Sequence, residues 1–334
     1  MQQRNRLVGL LLVAFVATAC TMSTPPARFS FGLIGDLAYR AEEEPALQRV
    51  FDALNAAPLA FAAHLGDLSS PRRNSCSDAL RALRLTQFQA SVHPFIYTPG
   101  DNDWTDCHDE QGVAGGDPLE RLSTLRERFF PDDQSLGQRK IPLTRQSALG
   151  NAAFAKYREN ARWQIGTITF TTLHIVGSNN NLGRTAAADA EHAERDRANL
   201  AWLTAAFAQA KASSSRGLVI IQQGNIFPTL PPYPGNPNQQ PNGAVEIRSA
   251  LERETIAFAK PVLLVHGDSH YFRVDKPLGR MVRREGPTPS IENFTRLETF
   301  GTPNSHWVEV GVEPDNPEVF TIQPRIVPSN RVAR

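Results

Sequence analysis

An α/β fold, with a largely parallel sheet over the first part of the chain, is the class this sequence predicts. Three observations point to it. Apolar segments of strand length alternate with segments of helical periodicity. Four of the apolar segments stop at a glycine followed by an aspartate: Gly35-Asp36, Gly66-Asp67, Gly100-Asp101 and Gly267-Asp268. The composition is that of an ordinary globular chain, 41% hydrophobic and 21% charged over 334 residues. That length suffices for one large core, and a single domain over residues 21–334 is the expectation. A formal net charge of +1 offers no basic field to gather a nucleic-acid backbone, so no nucleic-acid partner is indicated.

Residues 1–20 stand apart. Arg4 and Arg6 precede an apolar run over 7–16, which ends in Ala17-Thr18-Ala19-Cys20. The run is short for a permanent membrane span and fits an export signal. Its end is similar to a bacterial lipobox, with Ala17 where a larger aliphatic residue is usual. On that reading Cys20 is lipidated and anchors a periplasmic or cell-envelope protein to the membrane; the alternative is a plain secretory signal cleaved nearby. Export makes the two remaining cysteines, Cys76 and Cys107, candidates for a disulfide between the loops that carry them.

Taken in order, residues 21–27 read as a tether and 29–34 as the first strand, stopping at Gly35-Asp36. The glycine permits the sharp turn that lifts the carboxylate above the sheet edge. Leu47, Val50, Phe51 and Leu54 recur at helical spacing, and residues 59–65 form a second strand ending at Gly66-Asp67. A helix over 78–90 is expected to turn Leu80, Leu83 and Phe88 inward. Residues 94–98 give a third strand that leads into Gly100-Asp101-Asn102-Asp103, and a helix over 119–130 buries Leu122 and Phe129. Two strands flank Gly166 and run out at Gly177-Ser178-Asn179-Asn180-Asn181. A long helix over 186–212 follows, with Leu200, Leu203 and Phe207 inward; then a strand over 217–221 delivers Gln222-Gln223-Gly224-Asn225. Residues 231–243, rich in Pro, Asn and Gly, are a lid or an idle loop. After a helix over 244–259, the strand at 261–265 emits His266-Gly267-Asp268-Ser269-His270, and strands at 271–278, 307–312 and 319–327 are assigned to a second sheet.

Oxygen-rich loops at neighbouring strand ends are what a protein needs to hold metal ions in a cleft. A lone Gly-Asp after a strand is ordinarily just a turn. Here Gly35-Asp36, Gly66-Asp67, Gly100-Asp101-Asn102-Asp103 and Gly267-Asp268-Ser269-His270 occur in one order, and that ordered set resembles the motifs of the calcineurin-like metallophosphoesterases. The resemblance implies a four-layer αββα sandwich, two mixed sheets flanked by helices. It also implies two divalent metals that activate water to hydrolyse a phosphate ester of a small molecule. Asp36 would bind the first metal, Asp67 would bridge both, and His270 would reach the first metal from the far side of the cleft.

The departures from that pattern are specific. Ala38 stands where the family's first motif has a histidine, Asp101 where its third has a ligating asparagine, and Asn102 where it has the histidine that assists the leaving group. Gln222-Gln223 replace another histidine, and Asp268 a fourth. The metal set implied is Asp36, Asp67, Asp101, Asn102, Gln223, Asp268 and His270, whose oxygens favour Mg²⁺, Mn²⁺ or Ca²⁺ over Zn²⁺, with Fe a further option. Asn102, His108 and His266 are the candidate catalytic side chains, with His64 as another substitute acid. His64 and His174, inside apolar strands, also read as core histidines, and Tyr39 reads as a loop-packing residue. Arg72, Arg73, Arg273, Lys276 and Arg280 are candidate phosphate contacts. The Gly267-Asp268-Ser269 run is similar to a serine-esterase block, but its place on a late strand argues against a nucleophilic Ser269. The loss of histidines supports a rival reading, a non-catalytic exported protein that uses a degenerate cleft to bind a ligand or partner.

Overall fold

The computed structural model describes residues 28–70, 76–108, 116–227, 242–279, 282–283, 286–287 and 289–332. The expectations for the leader and Cys20, for Arg72, Arg73 and Arg280, and for residues 231–241 of the Pro/Asn loop fall outside these. In chain order the elements are β1 (Phe29–Ile34), α1 (Glu44–Ala56), β2 (Ala62–His64), α2 (Asp78–Gln89), β3 (Phe95–Tyr97) and α3 (Pro118–Phe129). Then come β4 (Thr144–Arg145), β5 (Ala161–Ile165), β6 (Ile168–Thr172), the one-turn α4 (Gly177–Asn180), α5 (Ala186–Ala212), β7 (Gly217–Ile221) and α6 (Val245–Phe258). The chain closes with β8 (Val262–His266), β9 (Arg273–Asp275), β10 (Val282–Arg283), β11 (Gly286–Pro287), β12 (Phe294–Glu298), β13 (Trp307–Val312) and β14 (Phe320–Arg325).

These strands form two large mixed sheets, ordered β14-β13-β1-β2-β3 and β4-β5-β6-β7-β8-β12-β9, with β10 and β11 as a small separate ribbon. Phe31, Leu33, Phe61 and Ala63 of the first sheet pack against Trp163, Phe170, Val219, Ile221, Leu263 and Val265 of the second. The opposite face of the first sheet buries Ile34, Ala62 and Phe95 under Val50, Phe51, Phe88 and Phe129 of the first three helices. The outer face of the second sheet meets Leu203 and Phe207 of α5 and Ile247 and Leu251 of α6. Strand side chains alternate between these layers, so each strand feeds two cores at once. Burying one such Leu, Ile or Phe contributes roughly 1.5–3 kcal/mol. The architecture is the αββα sandwich.

The structure corrects two expectations. Of the late strands assigned to one second sheet, β13 and β14 extend the first sheet beside β1, and β9 joins the other through β12. On α2 the inward side chains are Arg81, Arg84 and Phe88, and Leu83 is 44% exposed. The arginines enter because their terminal guanidinium nitrogens find acceptors, although the buried Arg81 Nε bonds none. Arg84 donates to Leu68 O (2.8 Å) and forks onto Glu44 (2.8 and 2.8 Å), and Arg81 donates to Asp103 O (2.6 Å) and Arg121 O (2.9 Å). Hydrogen bonds of this kind offset the cost of burying the charge.

Cys76 and Cys107 form a disulfide, tying the start of α2 to the loop after β3. Both sulfurs lie against the Asn102 carbonyl oxygen, at 4.0 and 3.9 Å. With a sequence separation of 31, closing this loop in the unfolded chain is worth about 3–4 kcal/mol on the entropic account. The double variant Cys76→Ser/Cys107→Ser is expected to lose stability of that order in denaturant titration. Alkylation of both thiols in the unreduced, denatured chain would contradict the bridge.

Candidate metal centre

Strands β1, β2 and β3 run parallel in level register, Ile34 beside His64 and His64 beside Tyr97. Their carboxyl ends therefore deliver Asp36, Asp67 and Asp101 to one edge. Strands β7 and β8, also parallel, bring Gln223, Asp268 and His270 to the same place. Asp268 N donates to both Asp36 oxygens (3.1 and 3.2 Å), joining the two sheets at this edge. Asp36, Asp67, Asp268 and His270 all have positive φ, 55°, 58°, 78° and 59°. Left-handed backbone at residues with a β-carbon costs on the order of 1–3 kcal/mol each and gathers at functional sites.

One donor atom from each of Asp36, Asp67 and His270 lies within 4.8 Å of the others. His270 Nδ1 sits 2.8 Å from Thr302 O, and a carbonyl can only accept, so Nδ1 carries the proton. The Nε2 lone pair then faces the cluster, 3.7 Å from Asp36 Oδ1. This is the arrangement by which a ligating histidine is oriented from its far nitrogen. Asp67 Oδ1 accepts from Asn102 N (3.1 Å) and Oδ2 from the Tyr39 hydroxyl (2.5 Å). That hydroxyl also accepts from Asn102 Nδ2 (2.8 Å) and lies 3.1 Å from His270 Nε2. Tyr39 is thus no loop-packing residue; its oxygen lies at the centre of the site.

Asp101 and Asp268 occupy the adjoining side. Asp101 Oδ1 accepts from Gln223 Nε2 (2.9 Å), while Gln223 Oε1 accepts from Gly177 N (2.7 Å). Gly177 N can only donate, so the Gln223 amide is held with its oxygen away from Asp101, and it orients that carboxylate. Asn102 meets the site through its amide nitrogen and its backbone. Asp103 lies beneath, accepting from Asp67 N, Leu68 N, Gly100 N and the Tyr97 hydroxyl (3.0, 2.7, 2.8 and 2.7 Å). It fastens the second and third loops together. At Gly100 a β-carbon would stand 2.1 Å from Asp67 Oδ1, so only glycine lets these loops approach.

The histidines named as substitute acids divide. His108 is half-buried just past Cys107. His266 follows Val262 and Leu264 onto the helix side of β8, is fully buried, and has Nδ1 2.8 Å from Gly267 O. Burial pushes its pKa down to about 3, so it is a neutral core residue rather than a proton donor. His64 is held at about 3 by burial and by Arg84, and His174 at about 4 by burial. Arg273 and Lys276, candidates for phosphate, are tied to Glu298 (2.6 Å) and to Glu292 O (2.5 Å).

Burial and mutual repulsion drive the site carboxyls upward. Asp36 is raised well above its usual value by burial and then by Asp268; Asp67 rises through burial, Asp101 and Asp36. Asp101 is pushed up to about 8 by burial, Asp268 and Asp106. Among the described residues no arginine or lysine bonds the carboxylates of Asp36, Asp67, Asp101 or Asp268. Desolvated carboxylates converging with an imidazole lone pair form a donor set that a divalent cation would balance, and the residues fit such an ion.

No family model and no curated protein matches this sequence. Among solved structures the chain is similar to PhoD, with a TM-score of 0.53 at 14% identity, over 90% of this chain and 70% of that one. It is also similar to GAP50, the anchor in the inner membrane complex of Plasmodium, with a TM-score of 0.46 at 10% identity, over 90% and 89% of the two chains. The likeness to PhoD, an alkaline phosphatase D, shows that the fold is phosphoesterase-like.

Because the Asp101 carboxyl titrates near 8 when folded and has an ordinary value of 3.8, the folded state holds its proton more tightly. Its stabilising contribution is complete below the ordinary value and is lost as pH rises through about 8. Metal-free protein is therefore expected to lose roughly 5 °C or more in Tm between pH 5 and pH 8. Saturating Mn²⁺ should cancel that loss, since the ion competes with the protons. A metal-free Tm that rises over this range would contradict the assignment.

Proposed function

We propose that this protein is a metal-dependent phosphoesterase acting on a phosphorylated small molecule. The observation that carries the proposal is the convergence of Asp36, Asp67 and the His270 Nε2 lone pair at the strand ends of a phosphoesterase-like fold. Asp36, Asp67 and His270 would hold one divalent ion, with the Tyr39 oxygen beside them; Asp67, Asp101 and Asp268 would hold a second. Mg²⁺, Mn²⁺ or Ca²⁺ suits this oxygen-rich set better than Zn²⁺. Bound there, such ions would supply Lewis-acid activation of water and neutralise charge developing on phosphorus.

The chain's own residues prepare that chemistry. Thr302 O fixes the His270 tautomer, Gln223 aims Asp101, and Asp103 locks the Asp67 and Asp101 loops at one separation. Asn102 donates to Tyr39, which leaves the Tyr39 proton for Asp67 or His270. Asn102 has no acidic proton of its own, so esters whose leaving groups need little protonation should be the better substrates.

Among the described residues no helix is long and apolar enough to cross a membrane, and the Cys76–Cys107 disulfide suits an oxidising compartment. We infer an exported protein, held at the cell envelope if Cys20 is lipidated.

Asp67→Asn is expected to lower hydrolysis of p-nitrophenyl phosphate or its bis-ester by about a hundredfold or more. The same variant should raise the metal-free Tm at pH 8, because it removes a buried like charge. Assays across Mg²⁺, Mn²⁺, Ca²⁺ and Zn²⁺ check this. Absence of turnover in all of them would sink the reading and favour a ligand-binding role, which Ala38 and Asn102 in place of histidines would suit.

A further inference from the structure

Beside the carboxylate cluster lies an arm whose residues the metal centre does not use. The chain leaves β6 through α4, where Ser178, Asn179, Asn180 and Asn181 are consecutively left-handed, with φ of 47°, 54°, 53° and 66°. Such a run persists only where its surroundings over-determine it. Here both ends are fastened to the loop after β3. Ser178 Oγ lies 2.9 Å from Asp101 Oδ2 and 3.0 Å from Asp106 Oδ2, and Thr105 Oγ1 donates to Asn181 Oδ1 (2.6 Å). A β-carbon on Gly177 would stand 2.5 Å from Asp268 Oδ1 and 2.6 Å from Asp101 Oδ2, so the turn is pressed directly onto the cluster.

The turn hands on to Arg184. Its Nη2 donates to Asp106 Oδ1 (2.8 Å), and its Nη1 donates to the Thr105 carbonyl and hydroxyl. Arg184 is therefore linked to Asp101 through only two side chains, Asp106 and Ser178. Its side chain is 26% exposed, whereas those of Arg84 and Arg195 are at 0%. These bonds occupy the Nη1–Nη2 edge; among the described residues Nε bonds no other group, which leaves the Nε–Nη2 edge of a partly exposed guanidinium for a ligand.

We propose that Arg184, positioned by Asp106 and Ser178, binds the phosphoryl oxygens of the substrate beside the carboxylate cluster. The identity of the anion rests on the phosphoesterase reading above. Two divalent ions would cancel the four carboxylates of Asp36, Asp67, Asp101 and Asp268, and Asp106 balances Arg184, so what Arg184 adds for a phosphate is directed hydrogen bonding rather than net charge. A guanidinium matches phosphoryl oxygens with two parallel hydrogen bonds, which an ammonium does not.

The test uses the metal-loaded protein, with calorimetric titration of orthophosphate and orthovanadate beside steady-state hydrolysis of p-nitrophenyl phosphate. Arg184→Ala should weaken phosphate binding and raise KM by roughly tenfold to a hundredfold, with at most a modest fall in Tm and with kcat less affected. Arg184→Lys should recover part of the affinity. Asp106→Asn, which keeps the shape and loses the charge that aims the guanidinium, should give a smaller rise in KM. Wild-type affinity for phosphate in Arg184→Ala would overturn the proposal. So would a fall in Tm and kcat together, with phosphate affinity intact in both Arg184 variants. A wild-type protein that binds phosphate through Arg184 but hydrolyses no ester would retain this proposal and overturn the phosphoesterase reading; one that binds no phosphate would overturn this proposal.

Discussion

Four aspartate carboxylates, from Asp36, Asp67, Asp101 and Asp268, are brought together at the meeting edge of two sheets, and much else in the structure serves to hold them there. Left to themselves they would repel and hydrate. They stay because each sits on a turn that the fold cannot relax. Level strand register sets their spacing, backbone N–H groups of Asn102 and Asp268 bond their oxygens, and Gly100 lets two loops come into contact. Beneath them Asp103 ties loop to loop, Arg81 holds Asp103 by its carbonyl, and Trp104 is fully buried against His174 and Arg195. The disulfide closes the same loop from outside. The stability given up to repulsion at this edge is the free energy that a bound cation would recover.

The same constraint explains why the helices pack as they do. Helix α2 turns two arginines inward because the carbonyls of Leu68 and Asp103 lie at the ends of strands that have just delivered aspartates. Helix α5 begins at Thr185, whose hydroxyl caps it, immediately after the left-handed turn that presses on Asp101 and Asp268. Support for the site thus comes from both outer layers of the sandwich, while the apolar core between the sheets fixes only the distance between them.

What the sequence revealed and what it hid follow from the range of the interactions. The bounds of β1, α5, β7 and β13 were legible because local apolar periodicity and flanking glycines set them. Asp36, Asp67, Asp101, Asp268 and His270 were legible because a Gly-Asp step after a strand recurs in order. The sheet partners of β13 and β14 were not, since pairing with β1 spans nearly the whole chain and leaves no local trace. Nor were the buried Arg81 and Arg84, whose acceptors lie far away in sequence or on another element. Tyr39 reads as a packing aromatic until Asp67, Asn102 and His270 are seen around its hydroxyl. For Ser178 to Asn181 a signal existed, a Gly-Ser followed by three asparagines, residues that tolerate left-handed backbone. Asp106 and Arg184 gave none. His266 shows the converse: it adjoins a motif in sequence, yet strand alternation points it into the core.

If this edge is built to hold divalent metal, the purified chain must bind it. Protein equilibrated with Mn²⁺ at pH 8, freed of excess ion and analysed by plasma mass spectrometry, should retain manganese in near-stoichiometric amount, and Asp67→Asn should lose most of it. Manganese at buffer background in the wild-type chain would mean that these carboxylates do not form a metal site.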